Sequence, residues 1–134
     1  MSSAPTVAYI DASALVKLVI PEPESDALRA ELANWDRHVS SAFARVEVVR
    51  ACARIDAKSA RAAEQIVGEL DLIAVDKDVL EEAALLGPAE LRSLDAIHLA
   101  SALLLRDAPG VAIAYDDRLV EAMQAAGLPT ATPR

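Results

Sequence analysis

The chain has 134 residues, 54% of them hydrophobic but only 3% aromatic, and a formal net charge of −8. That length suits one domain, residues 1–134, with a core of Ala, Val, Leu and Ile. The acidic balance excludes an extended surface that coats nucleic acid, but leaves open a metal-neutralised nuclease site with local arginines for phosphates, or a basic protein partner.

In chain order, Met1-Ser2-Ser3-Ala4-Pro5 lacks the basic region of a secretory signal. Residues 7–10 read as a first strand and 14–19 as a short helix ended near Pro21 and Pro23. A helix over 25–35 follows, with Ser25 as its N-cap. Residues 38–41 suit a short strand, and 43–56 and 59–70 two helices. Cys52, the single cysteine, sits beside Ala51 and Ala53 and reads as a small core residue. Residues 72–75 suggest a strand, and 78–86 a helix stopped by Gly87-Pro88. Ser93 can cap a helix running to about 105, with Leu94, Ile97, Ala100, Ser101 and Leu104 on one face. The last strand is 111–115, and a closing helix over 117–126 ends at Gly127. No window reaches the length of a membrane span, so the cytoplasm is the expected compartment. The alternation of short β-runs with helices predicts an α/β fold with a mainly parallel sheet.

Four carboxylates stand out in that frame. Asp11 follows the run Val7–Ile10, Glu47 lies inside a helix, Asp95 opens one, and Asp116 closes the last β-run. Acids at strand ends and helix starts converge on one crevice when the strands pair in parallel. Like charges gathered there cost stability unless a cation lies between them. An all-carboxylate set selects hard ions, Mg²⁺ or Mn²⁺, over Zn²⁺. The chain offers no Cys/His cluster, no glycine-rich phosphate loop and no G-x-S-x-G nucleophile motif. Each acid also has a plainer reading. Asp11 could cap helix 14–19, although Ser13 could do so equally well. Glu47, Arg50 and Arg54 have the spacing of an exposed ion-pair ladder. Asp95 suits the dipole of a helix start, and either Asp116 or Asp117 could cap the closing helix.

Four strings carry a resemblance to a known family: Tyr9-Ile10-Asp11-Ala12-Ser13-Ala14-Leu15-Val16-Lys17, Ala44-Arg45-Val46-Glu47-Val48-Val49-Arg50, Arg92-Ser93-Leu94-Asp95-Ala96-Ile97-His98-Leu99-Ala100 and Ala114-Tyr115-Asp116-Asp117-Arg118-Leu119. In this order and spacing the chain resembles a PIN domain, in particular the VapC toxins of bacterial toxin–antitoxin pairs. The resemblance implies a three-layer α/β/α fold and a magnesium-dependent endoribonuclease, usually a homodimer, held inactive by a co-expressed VapB-like antitoxin. It implies metal ligation by Asp11, Asp95 and Asp116, with Glu47 as the further catalytic acid, oriented by a nearby arginine. Ser13 would order a metal-bound water or phosphate, and Asp117 would be a peripheral acid or cap. His98, one turn after Asp95, would be a packed, hydrogen-bonded structural residue. Transfer RNA or another structured RNA is the substrate the family suggests, with Arg45, Arg50, Arg54, Arg61 and Arg92 as candidates for choosing it. The chain departs from the family pattern at Ala114, where Ser or Thr is usual, and so loses a hydroxyl that could support a ligand or water. The competing class is an inactive PIN-like module that binds RNA or protein. A phosphoacceptor receiver would need a Lys at the end of the last strand, where Asp116 stands. A haloacid-dehalogenase-like phosphatase would need an acid at Ser13, and a metal-free ribonuclease a partner for His38 or His98.

Overall fold

Strand β1 (Val7–Ile10) is apolar and buried at all four positions, as expected of a central strand covered on both faces. The computed structural model describes residues 4–134, so part of the N-terminal string read for a leader lies outside the described residues. Among the described residues the chain forms α1 (Ala12–Val19), α2 (Ser25–Leu32), β2 (Arg37–Ser41), α3 (Ala44–Ala53), α4 (Ala57–Gly68) and β3 (Asp71–Ile73). It continues through α5 (Lys77–Leu85), α6 (Ser93–Leu103), β4 (Gly110–Ile113), α7 (Asp117–Ala125) and β5 (Thr130–Ala131). Every strand pairing is parallel, and the order is β3-β2-β1-β4-β5. The chain builds outward from β1 to β3, then crosses back to lay β4 on the other side of β1. The carboxyl ends of β1 and β4 therefore flank the sheet's switch point, where open α/β sheets form their crevice.

Alternate residues of β1 feed two cores, giving three layers. Val7 and Tyr9 pack with Leu99, Leu119 and Met123 of α6 and α7. Ala8 and Ile10 pack with Leu15, Leu28, Val48 and Val67 on the other face, where Cys52 is also buried as anticipated. Gly110 opens β4 opposite Val7. A Cβ there would lie 2.2 Å from the Val7 carbonyl oxygen, so the two backbones approach as closely as they do only because this position is glycine. Gly127, at φ 88°, ends α7 in the left-handed conformation that glycine favours.

Several boundaries differ from the sequence expectation, each for a local reason. Ser25 does not cap α2; it is buried, donating to the Lys17 carbonyl at 2.7 Å and accepting from the Glu22 amide at 2.9 Å. That helix stops at Leu32 rather than at Trp35, because Asn34 and Trp35 bond three residues back, to Glu31 and Leu32. Ser93 is the first residue of α6, and the cap position, Arg92, makes no side-chain cap bond. The apolar face expected on α6 is also wrong at its ends, since Leu94 is 40% and Leu104 63% exposed. Wedged between the sheet and α5, α6 instead buries His98, Leu99, Ser101, Ala102 and Leu103. The two-residue β5 escaped notice; it is held by pairing to Ala112 and Ile113.

Candidate active site at the switch point

The backbone leaves β1 at Asp11, whose amide donates to the Ile113 carbonyl of β4 at 3.1 Å. Its side chain turns back as the N-cap of α1, accepting from the Ala14 amide at 2.9 Å. The Ser13 hydroxyl lies 2.7 and 2.8 Å from the two carboxylate oxygens and itself accepts from the Tyr115 amide at 3.2 Å. Capping thus falls to Asp11, not Ser13; Ser13 laces the end of β1 to the segment after β4. Asp11 is only 3% exposed. Burial lifts its carboxyl to about 6, with the charge of Asp95 adding to the rise, while His98, the Ala14 amide and Ser13 pull against it.

Asp95 stands in the first turn of α6, and its carboxyl is raised by partial burial and then by Asp116. Asp116 caps α7 by accepting from the Leu119 amide at 3.1 Å, and the exposed Asp117 occupies the first turn of that helix. Glu47, in the first turn of α3, is held neither by Arg50 nor by Arg54. Its carboxylate accepts from His98 Nε2 at 2.8 Å, and His98 Nδ1 stands 2.7 Å from the Tyr9 hydroxyl. Burial alone would pull His98 down, but the bond and charge of Glu47, with Asp11 and Asp95, carry it above its ordinary value. His98 is therefore the packed, bonded residue expected, and it, rather than Arg50 or Arg54, is the residue hydrogen-bonded to Glu47.

Asp11, Ser13, Glu47, Asp95 and Asp116 line one cleft, together with Arg92 and His98. A continuation of that cleft is lined by Arg92, Asp95, Asp116, Asp117 and Arg118. Of the arginines named from sequence, Arg92 reaches the acids, and Arg50 and Arg54 line a neighbouring groove beside Glu47. Arg118 was missed; the only signal for it was its place two residues after Asp116. Ala114 is fully buried in the core, and its carbonyl accepts from the Thr132 hydroxyl at 3.0 Å. Among the described residues no group of three or more His, Cys, Asp or Glu side chains stands close enough together to hold a metal ion as it is. The donor chemistry nevertheless suits a hard cation. The cleft acids are carboxylates, and the charge of Asp95 raises the Asp11 carboxyl while that of Asp116 raises the Asp95 carboxyl, a repulsion that a positive charge would relieve.

A parallel α/β sheet with carboxylates at its switch point defines the class, and comparison with known proteins gives the family. The chain belongs to the PIN domain family, which it matches over residues 8–123. It is of the VapC type: it is 46% identical to Ribonuclease VapC46 of Mycobacterium tuberculosis over 125 residues, covering 93% of this chain and 96% of that protein. Ribonuclease VapC47 of the same species is 37% identical over 130 residues, with the same coverage. The crystal structure of M. tuberculosis VapC20, a Sarcin-Ricin loop cleaving toxin, superposes with a TM-score of 0.74 at 19% identity, over 94% of this chain and 99% of that one. A toxin–antitoxin complex from Klebsiella pneumoniae gives a TM-score of 0.71 at 23% identity, over 95% and 98%. At such identities these two superpositions speak for the fold.

Proposed function

We propose that the protein is a metal-dependent endoribonuclease toxin that hydrolyses RNA phosphodiesters in the cytoplasm and is restrained by a VapB-like antitoxin. The carrying observation is the meeting of Asp11, Glu47, Asp95 and Asp116, from four separate segments, in one cleft at the switch point. The names of the VapC relatives support the same reading. Asp11, Asp95 and Asp116 would hold Mg²⁺, with Mn²⁺ able to substitute. When bound, the ion lowers the pKa of water and stabilises charge on the leaving oxygen.

The chain's own residues do the rest. Ser13 and the Ala14 amide fix the direction of the Asp11 carboxylate. Glu47, with one oxygen engaged by His98, has its other oxygen free to orient the attacking water and take its proton. Arg92 and Arg118, which line the outer part of the cleft with Asp95, Asp116 and Asp117, would hold the phosphate. Transfer RNA or another structured RNA is the proposed substrate, and a homodimer the proposed assembly. The acidic cleft suits an arginine of the antitoxin as its plug.

The test is cleavage of end-labelled total transfer RNA with Mg²⁺, against EDTA and Asp11→Asn controls. Cleavage only with metal and intact Asp11 bears the reading out, and other RNAs are tried where Mg²⁺ binds without cleavage. Loss of both metal binding and cleavage would favour an inactive binding module. Attack by water leaves 5′-phosphate and 3′-hydroxyl ends; 2′,3′-cyclic phosphate ends, which come from attack by the ribose hydroxyl, would overturn the mechanism.

A further inference from the structure

We propose that His98 is a positioning residue for Glu47, held in turn by Tyr9, so that a buried Tyr9–His98–Glu47 relay aims the cleft's glutamate. The inference rests on the ribonuclease reading and deepens it. Tyr9 and His98 are each 2% exposed, and together they bring a hydroxyl and an imidazole into a largely apolar core, where Ser101 of α6 is also buried. Such groups are costly to bury unless their bonds are made. Here they are made in series, at 2.7 Å from Tyr9 to Nδ1 and 2.8 Å from Nε2 to Glu47. A carboxylate offers only acceptors, so Nε2 carries the proton whatever the state of the ring.

The relay joins both layers of helices. Val48, beside Glu47 on α3, packs into one core, whereas Leu99, beside His98 on α6, packs into the other. The bond between them lies beside Asp11, which follows β1 two residues after Tyr9 and whose charge acts on His98. Glu47 has no other ion-pair partner among the described residues, and its side chain is 20% exposed, so without His98 it would be free to turn into solvent.

Steady-state cleavage separates the two roles. His98→Leu should lower kcat by about ten- to a hundredfold, the range for residues that orient a site's ligands, with KM within about twofold. His98→Gln, whose amide keeps a donor near the Nε2 position, should recover much of the loss. In a Glu47→Ala background His98→Leu should cost nothing further. Tyr9→Phe, a milder change if His98→Leu folds poorly, should shift kcat in the same direction by less. A second readout needs no turnover: in metal-free protein the His98 Nε2–H should give a proton-exchange-protected ring resonance that Glu47→Ala abolishes. Equal activity of His98→Leu and the parent, additive losses with Glu47→Ala, or a ring resonance indifferent to Glu47 would each overturn the relay. A parent protein that cleaves no RNA sinks the ribonuclease reading instead, and the resonance then decides the relay alone.

Discussion

Asp11 is held by two donors, the Ser13 hydroxyl and the Ala14 amide, in a place where burial opposes its charge, so its ionisation weighs against the fold. Its carboxyl titrates near 6 when folded, against 3.8 in the unfolded chain. Below about pH 4 both states keep the proton; between about pH 4 and 6 the unfolded chain gives it up first, and the fold loses stability as pH rises. Above pH 6 the loss from this group is about 3 kcal/mol. Denaturant midpoints of the metal-free protein should therefore decline from pH 4 to 6.5, and Asp11→Asn, which can still cap α1, should flatten that decline. Asp95→Asn should abolish cleavage while leaving metal-free stability unchanged or raised, since it removes a repelling charge; a marked fall in Tm would mean a structural role. At this scale the sequence named the acids because their types and flanks carry the signal. It could not name the partner of Glu47, because His98 lies 51 positions away and only the packing of α6 brings it there.

Helix starts repeat one device, with Asp11, Asp56, Asp76 and Asp116 each capping the helix that follows. Two of those caps also line the cleft, so the same carboxylate ends a loop and faces the proposed cation. Asp116 separates the duties: Asp116→Asn should keep Tm near the parent, Asp116→Ala should lose about 1 kcal/mol from the missing cap, and both should lose cleavage. Gly110→Ala should be far more damaging than its size suggests, since its methyl would meet the Val7 backbone and not a side chain that can move. A lowered denaturant midpoint, by about 1–3 kcal/mol or more, would check this; a neutral effect would show that β4 can shift on β1. Sequence reading found every element except β5, whose two residues leave no periodicity to detect. Misplaced boundaries fall at helix starts and ends alike, and the largest are the ends of α2 and α3, set past Leu32 and Ala53 because the residues that follow carry no strong stop signal.

Over the whole molecule, a net charge of −8 means that, on the proposed reading, RNA would be drawn in by a few cations placed beside the acids. Arg92→Gln and Arg118→Gln should raise KM with little change in kcat, and each should lower the steepness of the salt dependence of binding by about one. An unchanged slope would place the phosphate elsewhere. The class of fold was legible from the alternation of elements, yet the order β3-β2-β1-β4-β5 was not. Short, buried apolar strands announce that they are covered on both sides, but nothing in their residues states which strand lies beside which.

That order has a consequence for the chain while it is being made. β1 emerges among the first residues, but the neighbour that closes its second side, β4, begins only at Gly110. A growing or prematurely ended chain that has passed Asp95 already holds three of the four acids, yet it lacks Asp116 and one wall of the crevice. If cleavage needs Asp116, partial products of synthesis that stop before it should be inactive, and the chain should gain activity only when it is nearly finished.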